Sequence, residues 1–314
     1  LLSILGVALL FLTTWNLLRN EELVYFLVDK FHFLQEIDNS ILSGTVFFLT
    51  LIGVERIFMY LLFPVLFWMG QKEAAIRSIL ALLLGASVAF FIRYNLNLPG
   101  PHSYEFEILR SGTSFPSGHI VQYIMVIGSL TYYYQSKKLM WFLGISTIIM
   151  GVSRIFYGYH YLDDVVAGVI LGAFLLYFFQ KLINYLEEKR IDYNFLIFLS
   201  LAVALPFTLF FFTGNLARHN RLLLYLMGFS GGYALNRETS RLIDIESRFQ
   251  KVYCTILGLS IVSLRGYQDI AVNRILNVDV PQTIDFSLHL FLGFFIAFLW
   301  PLIYSIIHKL VEKK

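Results

Sequence analysis

Charge is what this sequence is short of. Only 14% of its 314 residues are Asp, Glu, Lys or Arg, against roughly 25% in a soluble domain. With 58% hydrophobic residues, it reads neither as an ordinary soluble enzyme nor as a disordered chain. Cysteine is almost absent. Cys254 stands alone, which excludes an intrachain disulfide and any thiolate–metal cluster. A net charge of +3 is too small to mark a nucleic-acid surface. No internal repeat and no low-complexity linker breaks the chain into parts.

What the sequence has is long apolar runs. Residues 41–69, 195–213 and 285–308 are the longest, and Glu55 with Arg56 is their main ionic interruption. Runs of about 20 apolar residues predict bilayer-spanning helices. Ten spans are expected, with eight as the lower bound: about 1–17, 41–69, 76–95, 119–135, 139–157, 164–184, 195–213, 220–236, 252–266 and 285–308. The second is long for one span, and its working part is expected at 54–70. Residues 1–17 are followed by no small-residue cleavage site, which predicts an anchor helix rather than a signal peptide. The expected fold is all-α, a polytopic transmembrane helical bundle forming a single membrane domain over 1–314.

Lys and Arg set the expected orientation. Thirteen of the 24 fall on one set of loops, among them Lys72, Lys137, Lys189, Arg237 and Lys251. Nine fall on the other set, including Arg93, Arg110 and Arg154. The richer side is expected to be cytoplasmic, with both termini there.

Three polar segments then share the outer side: Arg93 through Pro101, Pro116-Ser-Gly-His119, and Ser153-Arg154 followed by His160 and Asp164. The helices at about 119–135 and 139–157 cover about 25–28 Å each at 1.5 Å per residue, enough to run inward and return. That brings His119, Arg154 and His160 to one face, and Arg93 joins them at the end of the preceding helix. The residue types suit phosphate chemistry. Pro116-Ser117-Gly118 opens a helix with Ser117 as its expected cap, and a helix start favours an anion. Arg154 supplies a permanently charged fork for phosphate oxygens. Asp164, four residues after His160, fixes the imidazole tautomer and leaves the other nitrogen as a nucleophile. His119 then suits general acid work.

Each feature alone has an ordinary reading. Pro-Ser-Gly is a turn, Asp163-Asp164 a helix cap, and an interfacial His is commonly held by local partners. A metal reading of His119, His160 and Asp164 lacks a further carboxylate cluster. Glu55 and Arg56 suit an ion pair, and Glu55 would sit at the outer mouth if its span begins near 54. Gly168 and Gly172 suit close helix packing. Tyr157, Tyr159 and Tyr161 suit an aromatic belt at the interface. Residues 236–251 suit a charged inner loop or surface helix.

The joint pattern resembles the type 2 phosphatidic acid phosphatase superfamily. That family's Pro-Ser-Gly-His motif is intact at 116–119, and its Ser-Arg, five residues, His, three residues, Asp motif is intact from Ser153 to Asp164. A wider stretch, about 16–250, resembles bacterial membrane members related to sphingosine-phosphate phosphatases, through Asn16-Leu-Leu-Arg-Asn20, Ile52-Gly-Val-Glu55 and Phe63-Pro64 to Trp68. The resemblance implies a catalytic core at 41–190, with 191–314 as additional C-terminal transmembrane helices. It implies a metal-independent lipid phosphatase of the bacterial inner membrane, with its active site facing the periplasm. No cofactor is implied, and the partners are a lipid phosphate substrate and membrane lipids. His160 would attack phosphorus and form a phosphohistidine, supported by Asp164, and His119 would protonate the leaving oxygen. Arg154, Ser117, Gly118 and Arg93 would hold the phosphoryl oxygens.

The first motif departs from the family pattern of Lys, six residues, Arg, Pro. Arg93 stands in the Lys position, Gly100 in the Arg position, and Pro101 is retained. A lost charge-assisted hydrogen bond is worth about 1.5–3 kcal/mol. Arg110 and His102, on the same loop, are accessory candidates to replace it, and Glu55 at the outer mouth is a further accessory candidate that would face substrate. Two alternatives stay open: a lipid phosphotransferase, and a catalytically weakened protein that binds or transports lipid phosphates.

Overall fold

The computed structural model describes residues 6, 55–98, 100, 113–156, 159–191, 217–239, 245, 247–270 and 282–312. Among these the chain is helical, with no strand. The helices are α1 (55–68), α2 (Lys72–Leu96), α3 (Gly118–Tyr134), α4 (Lys137–Phe156), α5 (Leu162–Glu188), α6 (Ala217–Glu238), α7 (Arg248–Ile270) and α8 (282–312). They fall into two compact units. Among the described residues, one takes in 55–57 and 84–185; the other takes in Phe58–Leu83 and those from 186 to 312.

Four helices among the described residues are long and apolar enough to cross a bilayer: α2, α4, α5 and, in α8, Ile284–Val311. The chain is a membrane protein, and four is the number of spans these residues support, against the ten expected. α3 has only 17 residues. α6 and α7 have the length but carry too many polar residues, among them Arg221, Asn236 and Arg237 in α6. The expected spans at 1–17 and 195–213, and the 41–54 part of the second, lie outside the described residues. Several helices run past the expected apolar limits because charged residues continue them, as Lys72 and Glu73 do in α2.

In the first unit, α3 is the central element. It is apolar around most of its circumference, as a helix enclosed by neighbours must be, and 12 of its 17 residues are buried. α2 runs antiparallel to it, with Gly85 against Met125 at one end and Arg93 against Gly118 at the other. α4 returns beside α3 after a tight turn. Gln135 adopts a left-handed conformation and its N–H caps the carbonyls of Thr131 and Tyr132, while Ser136 Oγ accepts from the Leu139 N–H at 3.3 Å. Tyr123 Oη donates to Ser146 Oγ at 2.6 Å and fixes the register of that hairpin. α5 rises parallel to α3. An added Cβ at Gly168 would lie 2.9 Å from the Ser117 carbonyl oxygen, and one at Gly172 would lie 3.1 Å from Ile124. These glycines are the close-packing pair expected from their spacing. The outer stripe of α4, Trp141, Ile145, Ile148 and Val152, is exposed and apolar, which a bilayer tolerates and water does not.

The second unit repeats one device twice. In α1 the turn Phe58–Leu62 is π-helical and Pro64 follows it. In α8 the turn Phe295–Leu299 is π-helical and Pro301 follows it. A proline has no N–H, so the carbonyls four and five residues back lose their helical donor. Side chains from other helices supply it. Tyr225 Oη donates to the Met59 carbonyl at 3.1 Å. Trp68 Nε1 donates to Ile296 O and Asn236 Nδ2 to Ala297 O, both at 2.9 Å. A polar chain lies in the same unit. Arg221 Nε donates to Asp285 Oδ2 at 2.5 Å, His289 Nδ1 lies 2.7 Å from Asp285 O, and Tyr60 Oη lies 3.0 Å from His289 Nε2. A carbonyl can only accept, so Nδ1 carries the His289 proton and Tyr60 donates to Nε2.

Candidate active site

The site lies in the first unit, where the starts of α3 and α5 meet the ends of α2 and α4. The backbone N–H of Ser117 donates to the Asp164 carbonyl at 2.9 Å, which joins the second motif directly to the third. α5 begins at Leu162, so Asp164 is its third residue. Its Oδ2 reaches back to accept the Tyr161 N–H at 2.9 Å, the carboxylate half of a capping box. The same oxygen lies 3.5 Å from His160 Nδ1. That is an electrostatic contact longer than a hydrogen bond. It leaves Nε2 as the nitrogen directed away from Asp164.

His160 sits in the short connection between α4 and α5, and only 6% of it is exposed. The N–H groups of Tyr159 and His160 both donate to the Arg154 carbonyl, at 3.0 and 3.3 Å. One residue of α4's last turn thus holds the loop that carries the histidine. Burial pushes the His160 imidazole below its ordinary value. The nearby carboxylate of Asp164 opposes this, and the charges of Arg93 and Arg154 add to it. Asp164 is fully buried and Arg154 is 4% exposed.

Ser117 departs from its expected role. It occupies the N-cap position with extended backbone, but its side chain makes no cap hydrogen bond. Ser117 Oγ is buried without a partner among the described residues, as are His160 Nδ1 and Asp164 Oδ1. Buried polar atoms are nearly always paired, and unpaired ones concentrated at one place mark a functional centre. Gly118 opens α3, and its bare Cα is what admits Arg93, since a Cβ there would lie 3.2 Å from Arg93 Nη2. Arg93 donates from Nε and Nη2 to the Pro116 carbonyl, at 3.3 and 2.8 Å. A lysine carries its donors on a single nitrogen and lacks this planar fork. His119 is the second residue of α3 and is half-buried.

The structure therefore brings together Arg93, Ser117, Gly118, Arg154, His160 and Asp164, with His119 at the same helix start. Gly100 is buried. His102 and Arg110 lie outside the described residues, and so does the side chain of Glu55, whose backbone opens α1. Among the described residues no three His, Cys, Asp or Glu side chains form a metal-binding group. The aromatic belt reading missed one relationship. The Tyr159 ring lies over the Arg154 guanidinium, with 5.8 Å from Cζ to the ring centroid. A tyrosine beside the motif histidine was the only signal in the sequence.

Residues 74–188 match the PAP2 superfamily. An undecaprenyl-diphosphatase of Sulfolobus acidocaldarius is 26% identical over 184 residues, covering 56% of this chain and 88% of that protein. Phosphatidylglycerophosphatase B of Bacillus subtilis is 33% identical over 80 residues, covering 23% of this chain and 39% of that protein. A crystal structure of a transmembrane PAP2 type phosphatidylglycerolphosphate phosphatase from Bacillus subtilis has a TM-score of 0.48 at 16% identity, covering 61% of this chain and 97% of that one. Residues 74–188 of this chain are a PAP2 superfamily domain.

Proposed function

We propose that this protein hydrolyses a phosphate or diphosphate monoester carried on a lipid anchor. The observation that carries the reading is the three-way junction at Asp164, whose carboxylate stands beside His160 while its carbonyl holds the start of α3. His160 Nε2 attacks phosphorus, and the bond from phosphorus to the lipid oxygen breaks. His119 gives its proton to the leaving oxygen. Arg154, Arg93, Ser117 Oγ and the Gly118 N–H hold the phosphoryl oxygens as charge builds on them. Water then attacks the phosphohistidine with His119 as base, releasing phosphate and restoring His160.

The substrate class follows from the site's setting and from the relatives. An undecaprenyl diphosphate and a phosphatidylglycerol phosphate both present a terminal phosphate on a tail that stays in the bilayer. Phosphatidate and a sphingoid-base phosphate share that shape. The membrane is a bacterial inner membrane, the site faces the periplasm, and both termini are cytoplasmic. The distribution of Lys and Arg supports that orientation. A full count of about ten spans goes with this reading, as does one membrane domain with its core at 41–190 and additional helices at 191–314.

Gly100 favours a second reading, in which a missing first-motif charge leaves a protein that binds lipid phosphates but turns them over weakly. A phosphotransferase would differ in passing the phosphoryl group to a second organic product. The test is phosphate release from a panel of these lipids by purified protein in EDTA. Release that disappears in His160→Ala is expected. Binding without release, with no gain in Gly100→Arg, overturns the hydrolase reading.

A further inference from the structure

Two lysines of the second unit are brought together without an anion to match them. α1 ends in a Schellman turn, in which the Gln71 N–H donates to Leu66 O at 2.8 Å and the Gly70 N–H to Phe67 O at 3.1 Å. Gly70 takes the left-handed conformation that this turn needs. Its bare Cα also lets the Lys251 side chain lie over the turn, since a Cβ there would lie 3.3 Å from Lys251 Nζ. α2 begins two residues later, at Lys72. Lys72 Nζ donates to Asn236 Oδ1 at 3.1 Å and lies 5.5 Å from the centre of the Phe67 ring. Asn236 is buried, and its own amide donates to the Ala297 carbonyl. The Lys72 ammonium is thus held in place, and that of Lys251 is near enough for the two charges to oppose each other. Among the described residues no carboxylate pairs with either lysine. Glu73, beside Lys72 in the chain, turns to Arg77 at 2.8 Å.

An anion at the lysines would relieve their mutual repulsion, and the start of α2 adds the favourable end of a helix dipole. The surroundings favour a lipid over a free ion. In the turn of α7 that carries Lys251, Phe249 is 79% exposed and Tyr253 59%, and Ile256 and Leu257 are exposed beyond them. Aromatic and aliphatic side chains of this kind suit the membrane boundary, where basic residues take lipid headgroups. We propose that Lys72 and Lys251 hold the headgroup phosphate of an anionic membrane phospholipid, at a site built from the second unit alone. The inference goes beyond the proposed reaction and does not depend on it. Its ligand is a phosphodiester lipid, which that reaction does not consume.

The test titrates purified protein in detergent with phosphatidylglycerol and, separately, with zwitterionic phosphatidylcholine, and counts bound lipid by native mass spectrometry. The wild type is expected to bind phosphatidylglycerol about tenfold more tightly than phosphatidylcholine. Affinity for phosphatidylglycerol should fall about fivefold in Lys251→Gln and about fivefold again when Lys72→Gln is added, the worth of one basic group each at an anionic surface. It should return in Lys251→Arg. Lys138, exposed at the start of α4, is the control for diffuse attraction, and Lys138→Gln should leave the affinity unchanged. The Lys251 side chain makes no hydrogen bond among the described residues, so Lys251→Gln tests the site without disturbing the fold. Wild-type affinity in Lys251→Gln, an equal loss in Lys138→Gln, or equal binding of the two lipids overturns the inference. Inorganic phosphate in excess should leave the lipid in place. Displacement of the lipid by phosphate would assign the lysines to the free ion and overturn the lipid reading. Phosphate release enters none of these readouts, so failure of the hydrolase reading leaves their outcome intact.

Discussion

The Ser117 backbone N–H donates to the Asp164 backbone carbonyl at 2.9 Å, so the two motif-bearing helix starts are fixed to each other before any side chain acts. Gly168 permits it, because a Cβ there would lie 2.9 Å from the Ser117 oxygen. Gly168→Val should force the two starts apart at a packing cost of about 1–3 kcal/mol. The expected result is a kcat/KM reduced about tenfold or more with helical content unchanged, read by phosphate release and circular dichroism. Gly144 has nothing within 4 Å of an added Cβ, so Gly144→Val should alter neither quantity.

Ser117 gives a prediction in which stability and activity separate. Removing a serine N-cap ordinarily costs about 1 kcal/mol. Here the Oγ makes no cap bond. Ser117→Ala should therefore leave the thermal midpoint within about 1 °C of wild type. Phosphate release should fall about tenfold to a hundredfold, the loss of one hydrogen bond to a charged group. A lowered midpoint with full activity would assign the hydroxyl to the fold instead.

The pH profile reports His160. In the proposed mechanism the residue attacks as the neutral imidazole, and burial holds its proton affinity below the ordinary value of 6.5. Activity should persist as pH falls through that value, and decline only where the buried ring protonates. Arg93 adds to the depression, so Arg93→Gln should move the acidic limb of kcat/KM to higher pH. Asp164 opposes it, so Asp164→Asn should move the limb to lower pH, on a much reduced maximum. The stability sign follows from the same direction. The unfolded chain binds the proton more readily, so the contribution of His160 is present above pH 6.5 and is lost as pH falls through the lower folded value. Limbs that stay in place in both variants would separate His160 from the rate.

The second unit offers a prediction on stability alone. Arg221 holds the buried Asp285 carboxylate at 2.5 Å. Arg221→Gln leaves that charge without its cation and should destabilise the protein by about 3 kcal/mol. Adding Asp285→Asn removes the stranded charge and should restore most of the loss. Thermal or denaturant unfolding in detergent measures both variants, and phosphate release should be unchanged once the protein is folded. A double variant no more stable than the single one would contradict this.

The site was more legible in the sequence than the architecture around it. Helix lengths alone carried His119 and Arg154 to one face, and the i, i+4 spacing carried Asp164 to His160. Side-chain partners were not legible, because residue type does not say which acceptor is nearest. Ser117 holds the expected cap position but makes no side-chain cap bond, while Arg93 spends two donors on the Pro116 carbonyl. The paired π turns before Pro64 and Pro301 were out of reach, since their orphaned carbonyls are satisfied by Tyr225, Trp68 and Asn236 from distant parts of the chain. Among the described residues, helices that mix polar with apolar residues, as α6 does, fall short of what a spanning helix needs.

The central claim is that His160 carries the phosphoryl group between lipid and water. Its most direct test is acid-free denaturing quench of purified protein during turnover of a lipid radiolabelled in its terminal phosphate, with EDTA present throughout. The account predicts label on the protein that is stable to base and labile to acid, maps to His160, and is lost together with phosphate release in His160→Ala. Full phosphate release by His160→Ala would contradict it.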